Sequence, residues 1–222
     1  MEYNIHYPDR KEQAPCVIIA PGRKLHKDSN IIVEIADHMS KQGWVVIRFN
    51  WSFYTNNTSS PYEGMDAFPE QLEDVTKVIL IAQNDARVQK DNISLLGKCL
   101  GSIVAWHYMQ HIEDHEIKSI ILLTPIFKTK ELIDVYYPTI KELKVPILII
   151  VGNNDEMNCK LPLLYKFFAE KPSFAEICVI DGDHLLEVFD YKNDIDDQKT
   201  KQNYQVLKLR LMNFLDNTID IS

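Results

Sequence analysis

Short, nearly continuous apolar runs alternate with segments of helical periodicity along this chain. Such runs are typical of strands in a sheet that is covered on both faces, which in turn favours mostly parallel pairing. A less apolar segment at 2–7 is expected to add an antiparallel strand at one edge. The predicted core strands are 16–20, 44–49, 93–97, 119–123, 147–151 and 175–180.

Between these runs lie segments in which apolar residues recur with the period of an amphipathic helix. The first places Ile31, Ile35 and Met39 on one face and has Gly43 as its stop signal. The predicted helices are 30–42, 68–85, 161–170 and 203–216. Repeated alternation of strand and helix predicts a three-layer α/β/α sandwich with a mostly parallel sheet. We expect a single domain over residues 1–222.

The connection 124–145 has room for one short helix near 130–135, but not for a large lid domain. A site without a large lid would be relatively open. Such a site suits a small or surface-presented substrate better than a long lipid.

Composition narrows the range of partners. The chain has 222 residues, of which 45% are hydrophobic and 25% charged, with a net charge of -8. Nucleic acid is not an expected partner, because phosphate contacts need a basic face. The first residues do not resemble a signal peptide and no run approaches membrane-spanning length, so we expect a cytoplasmic protein without a membrane partner. The sequence leaves the oligomeric state open, as monomer or dimer.

The most informative stretch is Gly97-Lys98-Cys99-Leu100-Gly101, which joins a predicted strand to a following apolar helix. In a G-x-nucleophile-x-G elbow, the glycines allow a tight turn that pushes the central side chain out over the edge of the sheet. Serine is usual at the centre, but here it is Cys99. The helix N-terminus would favour its thiolate.

Two further polar residues follow predicted strands at the corresponding ends. Asp155 comes shortly after strand 147–151, and His184 comes after strand 175–180. Because ligands bind beyond the carboxyl ends of parallel strands, we expect both to approach Cys99. Nucleophile, acid and histidine is also the chain order of the α/β-hydrolase triad.

The chemistry assigns a role to each candidate. His184 would accept the Cys99 proton and later protonate the leaving group, while Asp155 would orient the imidazole. The backbone N–H groups of Leu100 and Arg23 are the expected donors to a tetrahedral oxyanion. Arg23 follows the first core strand in the Pro21-Gly22 loop. Its side chain is either a clamp for a substrate carboxylate or an ordinary solvated arginine.

Competing assignments remain at several of these positions. Cys99 could be an inert buried thiol, and nearby Ser102 is expected in the first helical turn rather than as the nucleophile. The acids that compete with Asp155 are Glu156, Asp181 and Asp183. Lys98 would either support a thiolate or line the surface.

Two other patterns, the spaced histidines and the aromatic residues after the second core strand, are open to a functional or a structural interpretation. The histidines His107, His111 and His115 recur every fourth residue, but nothing convincingly completes a metal site, and no cofactor motif is evident. Cys16 and Cys178 are expected to be buried thiols. The aromatic residues after the second core strand would form either a pocket wall or ordinary packing; they are Trp51, Phe53, Tyr54, Tyr62 and Phe68.

On these motifs, the chain resembles α/β-hydrolases of the dienelactone-hydrolase-like group. Residues 97–102 are similar to the G-x-C-x-G-G elbow of that group, in which cysteine is the nucleophile. Ser102 departs from the second glycine of the pattern, and Pro21 stands where many α/β-hydrolases have histidine. The resemblance implies the fold and a hydrolase ancestry, but it does not transfer the dienelactone substrate.

The sequence therefore predicts an enzyme that cleaves an ester, thioester or lactone of a small molecule through an acyl-cysteine intermediate, without a cofactor. One alternative is a non-catalytic binding module on a hydrolase scaffold. Another is an acyltransferase that uses the same three side chains.

Overall fold

A computed structural model describes residues 1–61, 65, 67–111, 117–138, 145–170, 175–190 and 192–219. Within these residues the chain forms a seven-stranded sheet. Its strands are β1 (Tyr3–His6), β2 (Ala14–Ala20), β3 (Val45–Phe49), β4 (Val88–Lys98), β5 (Ile117–Leu123), β6 (Ile147–Gly152) and β7 (Ala175–Ile180).

The helices lie between and after these strands. They are α1 (Asn30–Lys41), α2 (Ser52–Thr55), α3 (Pro69–Asn84), α4 (Leu100–His111), α5 (Lys130–Tyr136), α6 (Leu161–Ala169) and α7 (Asp197–Ile219). Helices α1 and α7 pack on one face of the sheet, and α3 to α6 pack on the other. The predicted three-layer α/β/α architecture is confirmed.

The strands are arranged in the order β1-β3-β2-β4-β5-β6-β7. Strand β1 pairs antiparallel with β3 at one edge, and the remaining neighbours pair in parallel. The edge strand expected at 2–7 is therefore present. The parallel order brings the carboxyl ends of β4, β5, β6 and β7 to one side of the sheet.

Strand β2 shows why the core strands are continuously apolar. Cys16 and Ile18 pack into the core beneath α3 and α4, whereas Val17 and Ile19 pack into the core beneath α1 and α7. Successive side chains point to opposite faces of a strand, and both faces are covered here. Each strand residue therefore removes apolar surface from water.

Two elements begin earlier than their hydrophobic pattern predicts. Helix α7 starts at Asp197 rather than at 203. At this start the Oδ1 of Asp196 accepts the N–H of Lys199 at 3.1 Å. Strand β4 starts at Val88 rather than at 93. Both extra segments are largely polar and partly exposed, so they carry no apolar periodicity from which they could have been predicted.

The short helix α2 was not predicted from the sequence. Its first N–H group, on Ser52, donates to the carboxylate of Asp74 on α3 at 2.7 Å. The Ser52 hydroxyl donates to the same carboxylate at 2.5 Å. A cap supplied from 22 positions away leaves no local sequence signal.

The described part of the connection after β5 holds α5 and no lid, as expected. Across the described ranges, no helix combines the length and apolar character needed to cross a bilayer. The cytoplasmic location and the single domain stay predictions.

Candidate active site

Cys99 occupies a strained turn between β4 and α4. Its backbone φ is 51°, a left-handed conformation that L-residues seldom adopt. The two glycines that flank it are required by close backbone contacts. A Cβ on Gly97 would lie 2.2 Å from the carbonyl oxygen of Gly101, and one on Gly101 would lie 2.1 Å from that of Ala20. The expected elbow geometry is present.

A buried chain of hydroxyl groups holds the elbow from the helix side. The Ser102 hydroxyl donates to the carbonyl oxygen of Cys99 at 2.6 Å and contacts the Tyr137 hydroxyl at 2.9 Å. Tyr137 in turn accepts the N–H of Ile126 at 3.1 Å. Ser102 is fully buried and its hydroxyl is engaged by these two contacts, so it supports the turn rather than competing with Cys99.

His184 and Asp155 meet beside Cys99. The Nδ1 atom of His184 lies 2.6 Å from the Oδ2 atom of Asp155, and the Asp155 side chain is only 2% exposed. The His184 imidazole also shares a hydrogen bond with the Cys99 thiol. Because Nδ1 is engaged by Asp155, Nε2 is the nitrogen left for the sulfur. His184 thus lies between the other two predicted residues and contacts both of them.

The structure separates Asp155 from its three competitors. Asp183 accepts the N–H groups of Leu185 and Glu187 at 2.7 and 2.9 Å, which shapes the His184 loop. Asp181 accepts from Asn154 at 3.3 Å, and Glu156 is exposed. Asp155 is the carboxylate that contacts the imidazole.

The electrostatic environment of Cys99 favours the thiolate. Burial alone raises the pKa of the Cys99 thiol, but several contacts outweigh it and bring the pKa below its ordinary value. They are the hydrogen bond and charge of His184, the positive charge of Lys98 and the N–H of Leu100. The N–H of Leu100 is free for this contact because it opens helix α4.

His184 is shifted in the complementary direction. Burial lowers the pKa of His184, but hydrogen bonds to Asp155 and to Cys99 outweigh burial and the positive charge of Lys98. The pKa of the imidazole is therefore raised. A lowered thiol pKa beside a raised imidazole pKa is the condition for a thiolate–imidazolium pair.

The other three cysteines lack this environment. Burial raises the pKa of Cys16, raises that of Cys159 to about 12, and raises that of Cys178. Cys16 is fully buried, as expected, whereas Cys178 is half-buried and accepts a hydrogen bond from Arg210. The expectation that Cys178 is buried was wrong in degree, because β7 is an edge strand with partial cover.

Lys98 does not line the surface. Its side chain is fully buried, and its Nζ donates to the Thr124 hydroxyl at 2.6 Å and to the backbone carbonyl of His184 at 2.7 Å. It thereby links the carboxyl end of β4 to the loops after β5 and β7. A lysine that precedes an elbow nucleophile gives no sequence signal for this burial.

The loop after β2 lies against the elbow. A Cβ on Gly22 would lie 3.4 Å from the Cβ of Cys99. The indole N–H of buried Trp51 donates to the carbonyl oxygen of Pro21 at 2.9 Å and holds this loop. The Arg23 side chain is exposed and donates to Pro61 at 3.3 Å. Trp51 is thus packing beneath the loop rather than a pocket wall.

A small cavity opens beside the sulfur. The described residues line a partly open space of about 100 Å³ there. The cavity combines apolar walls with two cationic side chains, and its lining includes Arg23, Phe68, Cys99, Ile103, Ile126 and Lys128. Phe68 is the aromatic residue of the predicted wall that reaches this cavity; Tyr62 lies outside the described residues.

Of the histidine pattern His107, His111 and His115, the structure describes only the side chain of His107. His107 is buried, contacts the carbonyl oxygen of Val135 at 3.2 Å and packs edge-on against Phe68. His115 lies outside the described residues. The described residues contain no cluster of three or more metal-ligating side chains.

A family model described as an alpha/beta hydrolase domain matches residues 13–214. The chain belongs to this family. Membership accounts for the mostly parallel sheet with helices on both of its faces. No curated protein shows significant similarity to this α/β-hydrolase.

Solved structures share the fold at low sequence identity. An alpha-beta serine hydrolase homologue from Coxiella burnetii is 16% identical with a TM-score of 0.69, covering 94% of this chain and 90% of its own. Est1E from Butyrivibrio proteoclasticus with bound ferulic acid is 14% identical with a TM-score of 0.70, covering 97% and 95%. A protein from Klebsiella pneumoniae that is named a putative dienelactone hydrolase is 16% identical with a TM-score of 0.65, and the match covers 95% of this chain and 90% of that protein.

Proposed function

We propose that this α/β-hydrolase cleaves a small ester, thioester or lactone through an acyl intermediate on Cys99. One observation carries the proposal: a half-buried thiol at a strained elbow contacts an imidazole whose far nitrogen lies 2.6 Å from a buried carboxylate. In the proposal Cys99 is the nucleophile, His184 is the base and Asp155 orients the base; their contacts support these roles in covalent catalysis.

In the first half of the reaction, the Cys99 sulfur attacks the carbonyl carbon and the carbonyl oxygen becomes negative. The N–H of Leu100 already points at the sulfur and would turn to this oxyanion. Arg23 supplies the second backbone N–H in the proposal, since its loop abuts the elbow. The carbon–oxygen or carbon–sulfur bond to the leaving group then breaks, and the leaving group takes the proton of His184.

In the second half, water attacks the thioester carbon while His184 accepts one of its protons. The bond from carbon to Sγ breaks, which releases the carboxylic acid and restores the thiolate. Asp155 keeps the imidazole in one tautomer and stabilises its positive charge throughout.

The cavity supports a small acyl group. Pockets that hold drug-sized ligands are about 300–1,000 Å³, whereas the partly open cavity beside Cys99 has a volume of about 100 Å³. We therefore expect acetyl and propionyl esters to be better substrates than long-chain esters. A fall in kcat/KM with acyl length, measured with p-nitrophenyl esters, checks this expectation.

The decisive experiment compares Cys99→Ala with Cys178→Ala. Because Cys99 has a lowered thiol pKa and Cys178 a raised one, iodoacetamide at neutral pH should modify Cys99 first. Cys99→Ala should lose p-nitrophenyl acetate turnover by about 10³-fold or more, and Cys178→Ala should retain it. Mass spectrometry of quenched reactions should find the acetyl group on Cys99.

Equal turnover by Cys99→Ala and the parent would show that Cys99 is not the nucleophile. A folded protein with reactive Cys99 but no turnover of esters, thioesters or lactones would favour the non-catalytic binding module. Product that partitions to an added alcohol or amine would indicate acyl transfer.

A further inference from the structure

Lys98 is a buried cation that the mechanism above does not use. It is fully inaccessible to solvent, yet both of its hydrogen-bond acceptors are uncharged oxygens, the Thr124 hydroxyl and the His184 carbonyl. Burying an ammonium group without a directly paired anion is unfavourable unless nearby negative charge offsets the loss of water.

The negative charges that act on Lys98 belong to the candidate site and its loop. Burial lowers the pKa of Lys98 to about 8, and Cys99, Asp155 and Asp183 oppose that fall. Lys98 acts back on Cys99, where its charge favours the thiolate, and on His184, where its charge opposes the imidazolium. The buried lysine therefore couples to both reacting groups.

We propose that Lys98 is a positioning residue whose ammonium fixes the His184 loop and stabilises the negative sulfur of Cys99. The inference rests on the proposed function, because it assigns a task to Lys98 within that site. The hydrogen bond to the His184 carbonyl spans 86 positions of sequence and ties the backbone of His184 to the end of β4 beside Cys99. Its charge supplies the positive field that the sulfur needs before substrate binds.

A purely structural role makes a different prediction. If Lys98 served only to satisfy Thr124 and the His184 carbonyl, an uncharged donor would replace it without changing the acidity of Cys99. If its charge matters, every neutral replacement raises the pKa of the thiol, whether or not a donor is kept.

The experiment measures the rate of iodoacetamide alkylation of Cys99 against pH, with the modified residue identified by mass spectrometry. Lys98→Met removes charge and donor, Lys98→Gln keeps a donor, and Lys166→Met makes the same charge change at an exposed position on α6. Both Lys98 variants should raise the apparent thiol pKa by about one unit, whereas Lys166→Met should leave it unchanged. An unchanged thiol pKa in folded Lys98→Gln would overturn the proposal.

The unmutated protein provides a second test that does not depend on a variant folding. Coupling between two protonation sites is reciprocal. Capping Cys99 with methyl methanethiosulfonate removes the negative charge of the sulfur and should therefore lower the pKa of Lys98. NMR of the Lys98 Nζ measures this pKa. A Lys98 pKa that does not change on capping would overturn the proposal.

Turnover of p-nitrophenyl acetate is measured on the same samples. Lys98→Gln should lower kcat with little change in KM, since Lys98 does not line the cavity. If the thiol pKa of Lys98→Gln equals that of the parent and the parent turns over ester, the role of Lys98 is overturned and the proposed function stands. A shifted thiol pKa in a parent without turnover would support Lys98 and overturn only the proposed function.

Discussion

Two histidine–aspartate pairs in the described part of the chain show how context sets the charge of an imidazole. His6 on β1 lies 3.1 Å from Asp37, and His184 lies 2.6 Å from Asp155. The two histidine side chains are similarly exposed, at 21% and 25%, but the aspartates differ, at 51% and 2%. The pKa of His6 is lowered, whereas that of His184 is raised.

The second ring nitrogen explains the opposite shifts. Nε2 of His6 accepts a hydrogen bond from the Nε of Arg48 at 2.8 Å. Burial and the Arg48 charge lower the pKa of His6 more than Asp37 raises it. At His184, burial also lowers the pKa, but Asp155 and Cys99 both act to raise it. A carboxylate beside one ring nitrogen is therefore not sufficient to raise the pKa of a histidine.

The largest expected difference between the pairs is in turnover. Asp155→Asn should lower kcat by about 10³- to 10⁴-fold, because the amide can no longer stabilise the imidazolium or select its tautomer. Asp37→Asn makes the same chemical change at the other pair and should leave kcat unchanged. Steady-state kinetics with p-nitrophenyl acetate measures both variants. Similar losses of kcat in the two variants would contradict a catalytic role that is specific to Asp155.

A second difference should appear in the titration of the rings. NMR of the imidazole C–H signals should place the pKa of His184 above 6.5 and that of His6 below it. In Cys99→Ala, the pKa of His184 should fall by about one unit, since the sulfur no longer accepts its proton or supplies negative charge. The pKa of His6 should stay constant in this variant. A His184 pKa that stays constant in Cys99→Ala would show that the imidazole is not coupled to Cys99.

The smallest expected effect is on stability. Because the folded pKa of His6 is lowered, the unfolded chain binds more protons between the two pKa values, and folding stability rises with pH. The contribution of His6 is present above pH 6.5 and is lost as pH falls through its folded pKa. Replacing His6 by Gln should reduce the loss of stability between pH 7.5 and 5 by less than about 1 kcal/mol. Urea denaturation at both pH values measures the difference from the parent.

His184 should contribute to stability with the opposite sign. Its raised pKa gives stability that is present below pH 6.5 and lost as pH rises through the folded pKa. His184→Gln should therefore alter the same denaturation experiment in the other direction. Changes of the same sign in both variants would contradict the assigned shifts.

The elements that the sequence predicted well are those with local signals. Continuous apolar runs predicted the core strands within two residues, except at the polar start of β4. Gly97 and Gly101 marked the elbow because the turn brings backbone atoms too close for a Cβ. Chain order alone indicated that Asp155 and His184 follow strands whose ends share one edge. The start of α7 and the helix α2 were missed, because polar residues and a distant cap determine them.

By itself, the sequence determined the layered fold, the position of a nucleophile elbow and a short set of acids that could serve His184. The tertiary structure decided which acid contacts the imidazole, across 29 positions, and that Lys98 is buried beneath the His184 loop, across 86. It also decided that the surroundings of His184 favour its charged form, whereas those of His6 favour its neutral form. Apolar periodicity and glycine requirements are properties of neighbouring residues, whereas burial and electrostatic coupling depend on groups that meet only when the loops at the sheet edge have folded together.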